Sequence, residues 1–306
     1  MQKKVALLVK NLSSVIVGNE QPIEQMLITL FSKGHLLIED VPGLGKTLLA
    51  RSLAGSIDSD FKRIQCTPDL LPSDITGVSV FHPASDTFHF KPGPLFANIL
   101  LVDEINRATA RTQSALLEAM AERQVSVDSQ THSLPAPFMV IATQNPVEHY
   151  GTYALPEAQL DRFFMKISLG YPTLDAEVKI IKQEIQEQRA IESLQTVLTG
   201  EDILNIQSQI HDVFIHDSLI EYIASIMMKT RRHKAVSLGV SPRGSISLTK
   251  AAKALAYIRG KEAVTPEMIK SLVHPVLAHR IVLKEPSSAA LVLDEVVNSI
   301  EVPILR

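Results

Sequence analysis

The chain has one cysteine, Cys66, among 306 residues. An intrachain disulfide is therefore excluded, and cysteine usage points to no oxidising compartment. Long apolar runs are missing too. Uncharged apolar stretches such as 98–102 and 138–142 fall far below the roughly 18 residues that a bilayer-spanning helix needs. The start is basic, with Lys3 and Lys4, but Lys10 and Asn11 interrupt the apolar stretch that a secretion signal would require. Positive charge is not in excess. Thirty Lys and Arg against 33 Asp and Glu give a net charge of −3, so there is no bulk attraction to nucleic acid or anionic membrane. No internal repeat or low-complexity tract occurs. What is present is an ordinary composition, 45% hydrophobic and 21% charged, which excludes a wholly disordered chain or a collagen-like fibre. The length suits two domains. A cytoplasmic protein without membrane insertion is the expectation.

The first half alternates short apolar runs with helical patterns. Residues 35–39, 61–66, 98–103, 138–143 and 164–169 read as strands, and 47–57 and 109–122 as helices. Such alternation predicts a mostly parallel sheet covered on both faces. Two stretches interrupt it. Residues 68–94 are rich in Pro, Ser, Asp and Phe and read as an insertion, while 125–134 alternate around a polar centre and predict a β-hairpin. Beyond Pro172 only helical patterns remain: 201–213, 217–231, 241–259 opened by Ser241-Pro242, a helix opened by Thr265-Pro266, and 286–300. The division between an α/β part and a helical part falls near 172–195.

The strongest local signal is a buried strand running through a glycine turn into a helix: Asp40, Val41, Pro42, Gly43, Leu44, Gly45, Lys46, Thr47 and Leu48. Free N–H groups and the dipole at such a helix start favour an anion. Lys46 adds a positive charge for the outer phosphates, and the Thr47 hydroxyl is a hard ligand for Mg²⁺. The segment reads as a phosphate-binding loop, although Asp40 stands where that pattern has glycine. Aspartate tolerates the left-handed backbone region better than most residues, so the turn can survive.

Residues 99–104 form a second element, an apolar strand ending in Asp103 and Glu104. In a parallel sheet, ligands bind beyond the carboxyl ends of the strands. Neighbouring strand residues point to opposite sides, so the two acids have separate tasks. Asp103 would hold the metal, through water or through Thr47, and Glu104 would orient and polarise the attacking water. A third strand, 138–143, leads to Asn145, which can hold the water or a γ-phosphate oxygen, or form the turn before Pro146. No Asn-Lys-x-Asp guanine motif occurs in the sequence. Arg162 stands just before the last strand, where an exposed arginine can enter a neighbour's site; a salt bridge to Asp161 or Glu157 is the plainer alternative. Arg243, in the first turn of a helix, opposes the helix dipole unless an anion such as phosphate is present or solvent screens it.

Together these segments resemble the AAA+ ATPases and, within their helix-2-insert clade, the MoxR family. The likeness is carried by Glu39-Asp-Val-Pro-Gly-Leu-Gly-Lys-Thr47, Leu101-Val-Asp-Glu-Ile-Asn-Arg-Ala108, Thr112-Gln-Ser-Ala-Leu-Leu-Glu-Ala-Met120, Ala142-Thr-Gln-Asn-Pro146, Leu155-Pro-Glu-Ala-Gln-Leu-Asp-Arg-Phe163 and Val240-Ser-Pro-Arg243. It extends from about Val15 to past Arg280. The resemblance implies a P-loop core with a parallel five-stranded sheet and flanking helices over 1–172. A helical linker and small all-helical lid follow over 173–306. It implies ATP and Mg²⁺ as nucleotide and metal, Asp103 and Glu104 as the Walker B pair, Asn145 as sensor 1, Arg162 as arginine finger and Arg243 as sensor 2. Val17 and Gly18 match the element that contacts adenine, residues 74–91 the insertion in helix 2, and 124–134 the hairpin before sensor 1. It further implies a homohexameric ring with nucleotide at each subunit boundary. The implied task is chaperone-like remodelling or maturation of a protein client, often a metalloenzyme, with a von Willebrand factor A domain partner.

Other readings share these motifs. A nucleic-acid motor needs basic pore elements, but the hairpin offers Arg123 and then Asp128, and the insertion only Lys91; no nucleic acid is expected. The ATPase subunit of magnesium chelatase shares the architecture and stays open. A nucleotide-gated scaffold with little turnover is disfavoured by the retained Lys46, Asp103, Glu104 and Asn145. His211 with His216, and His274 with His279, have spacings that zinc could use, but no second cysteine completes either set.

Overall fold

The computed structural model describes residues 1–304 except 19, 147–150, 186–193 and 286. Two helices, α1 (Gln2–Val15) and α2 (Gln21–Phe31), precede the alternating part. There β1 (Leu36–Glu39), α3 (Lys46–Ser56), a short β2 (Ile57–Asp58) and β3 (Phe61–Gln65) follow in turn. A one-turn α4 (Pro72–Thr76) leads into a hairpin of β4 (Gly77–His82) and β5 (Thr87–Pro92). Next come β6 (Ile99–Asp103), α5 (Ala110–Glu122), a second hairpin of β7 (Gln124–Val127) and β8 (Gln130–Ser133), β9 (Met139–Gln144), α6 (Glu157–Leu160) and β10 (Met165–Ile167).

Five strands form one parallel sheet in the order β10-β1-β9-β6-β3. Its inner strands β1, β9 and β6 are buried on both faces, and alternate residues feed two separate apolar clusters. Leu36, Ile38, Leu101 and Ile141 enter one, and Leu37, Leu100, Val102 and Val140 enter the other. This period-two partition is why the strands read as continuous apolar runs. Register places Gln65 opposite Asp103, Ile38 opposite Thr143 and Glu39 opposite Gln144. The carboxyl ends of β3, β6, β9 and β1 therefore lie side by side along one edge.

The remainder is largely helical: α7 (Leu174–Ile185), α8 (Gly200–His211), α9 (Asp217–Arg232), α10 (Pro242–Ile258), α11 (Pro266–Leu277) and α12 (Ala289–Asn298). Short strands add to the helices. β11 (Leu198–Thr199) pairs with β2, and β12 (Val236–Leu238) with β13 (Val282–Leu283). Residues 186–193, in the expected linker, and residue 286, the expected start of the last helix, lie outside the described residues. Buried side chains of α1 (Val5, Leu8, Leu12) and of α2 join those of α8 to α11 in one apolar cluster, each contributing about 1.5–3 kcal/mol on burial. A bidentate pair from Arg259 to Glu24, at 2.9 and 3.0 Å, ties the end of α10 to α2.

The two hairpins touch. The Phe90 ring stacks on His132 at 4.0 Å between centroids and 12° between planes, and Phe96 meets both rings edge-on.

Two histidines are buried and neutral. His35 donates from Nε2 to Met120 O at 3.0 Å and accepts the Val140 N–H on Nδ1 at 2.9 Å. Burial pushes its pKa down to about 4. His279 contacts Phe163 O at 3.1 Å, and burial, then the neighbouring Arg280 and Lys166, push it down to about 3. The unfolded chain takes up these protons near pH 6.5, the folded chain only near 4 and 3. Their contribution to stability is thus complete above pH 6.5 and declines as pH falls through that window. Between pH 7.5 and 5 each should cost about 2 kcal/mol. Urea midpoints at the two pH values check this; an unchanged midpoint contradicts it.

Candidate functional site

The phosphate loop leaves the sheet where β1 ends. Gly43 and Gly45 take φ of 88° and 84°, a region that costs other residues about 1–2 kcal/mol. A Cβ at either would meet no atom within 4 Å, so torsion and not crowding selects glycine there. Gly45 is the N-cap of α3; no side chain caps it, and the first turn holds no acid. The N–H groups at this helix start are left for an anion. Lys46 folds back, its Nζ donating to Asp40 O at 2.5 Å. Partial burial lowers its pKa, against the pull of Asp40, Asp103 and Glu104. Pro42 and Gly43 are exposed, whereas Val41, Leu44, Thr47 and Leu48 are half-buried.

The turn survives with Asp40 in place and needs no left-handed torsion there, since Asp40 is not among the residues with positive φ. Its N–H donates to Gln144 O at 3.2 Å, which prolongs the sheet ladder by one residue and keeps the backbone out of the left-handed region. Its buried carboxylate accepts from Ser168 Oγ at 2.9 Å and from the Leu169 N–H. It braces the end of β10 and gives the loop only a carbonyl.

The two acids are separated by a kink and not by strand alternation. Asp103 closes β6, while Glu104 lies beyond the strand with φ of 55°, a conformation that stores strain at a non-glycine residue. Thr143 holds the kink, because its Oγ1 donates to Asp103 Oδ1 at 3.3 Å and accepts the Glu104 N–H at 2.9 Å. From the neighbouring strand, Arg63 Nε donates to Asp103 Oδ2 at 2.7 Å and Gln65 Nε2 to Glu104 Oε2 at 2.8 Å. Arg107 adds a donor to the same Glu104 oxygen at 3.0 Å. The sequence motifs did not single out Arg63, Gln65, Arg107 or Thr143. One signal was available: in 61–65, polar residues flank the buried Ile64, a half-polar strand among apolar ones. Cys66 follows, buried, with its thiol pushed up to about 12 by burial and then by the two acids. Asn145 is buried, and its carbonyl accepts from Asn106 Nδ2 at 3.5 Å.

Arg162 is exposed and makes no ion pair among the described residues. Asp161, its expected alternative partner, is taken by Arg280 and by Arg243, the latter at 3.8 Å. The anion near Arg243 is thus Asp161. Ser241 occupies the N-cap position of α10 but donates to Asp161 Oδ2 at 3.2 Å and does not cap the helix. Val17 and Gly18 line a cavity of about 450 Å³ with Ser13, Ile16 and Lys179; residues 40–48 are not among its lining. Gly18 has φ of 103°, and a Cβ there would lie 2.5 Å from Ala176 Cβ.

The residues suit a nucleotide with its metal. The uncapped helix start and Lys46 fit phosphate oxygens. The Thr47 hydroxyl and the Asp103 carboxylate, already facing a cation in Arg63, are hard oxygen donors of the kind Mg²⁺ takes. Among the described residues no group of three or more His, Cys, Asp or Glu side chains could hold a metal. The histidine pairs are engaged elsewhere. His216 Nδ1 accepts the Ser218 N–H at 3.2 Å, and His274 pairs with Asp294 at 2.9 Å. No helix among the described residues is long and apolar enough to cross a membrane.

Residues 35–165 match the ATPase family associated with various cellular activities (AAA), and residues 228–300 match an AAA lid domain. The uncharacterized protein YeaC of Bacillus subtilis is 47% identical over 97% of this chain and 94% of its own length. Chaperone MoxR1 of Mycobacterium tuberculosis is 41% identical, over 94% of this chain and 80% of its own length. A solved chain from Cytophaga hutchinsonii, described as a candidate ATPase, superposes with a TM-score of 0.92 at 38% identity, covering 99% of this chain and 96% of that one. The AAA+ core with its helical lid, and full-length similarity of this degree, show that the chain belongs to the MoxR family of AAA+ ATPases.

Proposed function

We propose that this chain hydrolyses ATP with Mg²⁺ in a crevice shared by two copies of itself, in a ring of six, and uses the cycle to remodel or mature a protein client. The carrying observation is the single sheet edge at which the phosphate loop, both acids and Asn145 emerge. In this reading residues 1–172 are the nucleotide-binding core and 173–306 the linker and lid. The α3 start and Lys46 bind the triphosphate, and Val17 and Gly18 border the base. Thr47 and Asp103 would hold Mg²⁺, which when bound neutralises charge on the β- and γ-phosphate oxygens. Glu104, with Oε2 fixed by Gln65 and Arg107, accepts a proton from the attacking water. Asn145 senses the γ-phosphate, Arg162 serves the neighbour's site and Arg243 acts on the nucleotide from the lid as sensor 2. The chaperone name of the Mycobacterium tuberculosis relative supports a protein client; a von Willebrand factor A domain partner and a cytoplasmic setting are the finer parts of the proposal.

Calorimetry tests the binding half. Mg·ATP should bind the wild-type chain, and Lys46→Ala should weaken it roughly 10- to 100-fold, the worth of a charge-assisted contact. No heat from the wild-type chain, at concentrations where copies associate, would sink the proposal.

A further inference from the structure

One arginine outside every motif has an unusually complete set of hydrogen bonds among the described residues of the lid. Arg280 follows α11, and its side chain is 1% exposed. Its Nε donates to Val276 O at 2.8 Å, within its own turn. Every other contact but one reaches across to the segment around Arg162. One terminal nitrogen, Nη1, donates to Asp161 O at 3.0 Å and to Asp161 Oδ1. The other, Nη2, donates to Phe163 O at 2.6 Å and Phe164 O at 3.3 Å, with Ser247 Oγ at 3.5 Å. All five donors of the guanidinium fork are thereby engaged. The carbonyls before and after Arg162 are held by one buried group, and Arg162 alone in that stretch points out, exposed.

Neighbouring features make room for this clamp. A Cβ on Gly244 would lie 2.2 Å from Val240 Cγ1 and 3.3 Å from Arg280 Cδ, so glycine lets the α10 start close over the guanidinium. His279, neutral, contacts Phe163 O beside it. Ser241 and Arg243 approach the second Asp161 oxygen and fix that carboxylate from the other side.

We propose that Arg280 is a positioning residue for Arg162: from the lid it clamps the main chain on both sides of that residue, so that the exposed guanidinium projects at a fixed angle into the neighbouring copy. This rests on the assignment of Arg162 to the neighbour's site. Removing one end of a rigid mount displaces the working group, and a shift of about 1 Å costs on the order of 10²-fold in rate.

The test uses mixed rings of full-length chains. Lys46→Ala chains supply an intact Arg162 but a dead pocket, and Arg162→Ala chains supply an intact pocket. If this parent mixture, in rings confirmed to be mixed, shows no ATPase activity, the assignment of Arg162 fails, and Arg280 has nothing to position. Given parent activity, Arg280→Lys is placed on one chain type at a time. On the Lys46→Ala chain it should cut activity at least about tenfold; on the Arg162→Ala chain it should leave more than half. Equal loss in both placements would show a general structural role and overturn the proposal, as would loss in neither. Should Arg280→Lys chains fail to assemble, Asp161→Asn, which keeps side-chain shape and the carbonyl contact, is placed the same way and judged by the same asymmetry.

Discussion

Glu104→Gln should hold ATP as the wild-type chain does and turn it over about 10²- to 10⁴-fold more slowly, the usual worth of a positioned general base. The two side chains have the same length and shape. The groups assigned to the triphosphate lie on a different strand and helix, and the replacement touches none of them. Gln65 and Arg107 both donate to Glu104 Oε2, and the amide oxygen of the variant can accept both. The main chain at φ of 55° keeps its Thr143 contact, which uses the backbone N–H. What is lost is a group able to take a proton. Calorimetry with Mg·ATP and a phosphate-release assay separate the two effects. Affinity falling in step with turnover would reassign Glu104 to binding, and undiminished turnover would remove it from the chemistry.

Arg162→Ala should be the more damaging change, by about 10³- to 10⁵-fold where such an arginine neutralises transition-state charge. In an isolated chain its removal should be nearly silent for stability, because Arg162 is exposed and Asp161 is paired elsewhere. In the proposed reading its effect comes from what it meets in another copy. ATP affinity stays close to wild type, since Lys46 and the helix start are intact. Mixing with Lys46→Ala chains should restore part of the activity, because pockets and arginines defective in different copies then complement each other. A range of mixing ratios with no recovery, in rings confirmed to be mixed, would rule out action in trans.

Where local form is written in consecutive residues, it was legible in the sequence. The glycine turn, the paired acids and the strand-end asparagine each announce themselves within a dozen positions. The predicted strands appear within a residue or two, and the 125–134 hairpin forms as alternation foretold. What escaped was lateral. Arg63 and Gln65 reach the acids only because β3 pairs with β6 in a register that no local pattern fixes. Thr143 works from a third strand, and Arg280 meets Asp161 from 119 residues away. The bracing role of Asp40 escaped for a related reason. A motif comparison sees an unusual residue in a glycine position, whereas Gln144, which pairs its backbone, closes another strand, and Ser168 and Leu169, which hold its carboxylate, lie just past the end of β10.

The Phe90–His132 stack has a mechanical corollary. Turning one ribbon alone breaks that stack, at about 0.5–1.5 kcal/mol beyond the area it buries, so the two ribbons are coupled. Phe88, two residues farther along and 71% exposed, lies at the outer end of the pair. The inner ribbon, β7–β8, is tied where Leu134 donates to Arg123 O and leads into the strand that ends beside Asn145. An unbroken span of paired backbone and stacked rings thus joins an exposed aromatic ring to the sheet edge where the phosphate loop and both acids emerge.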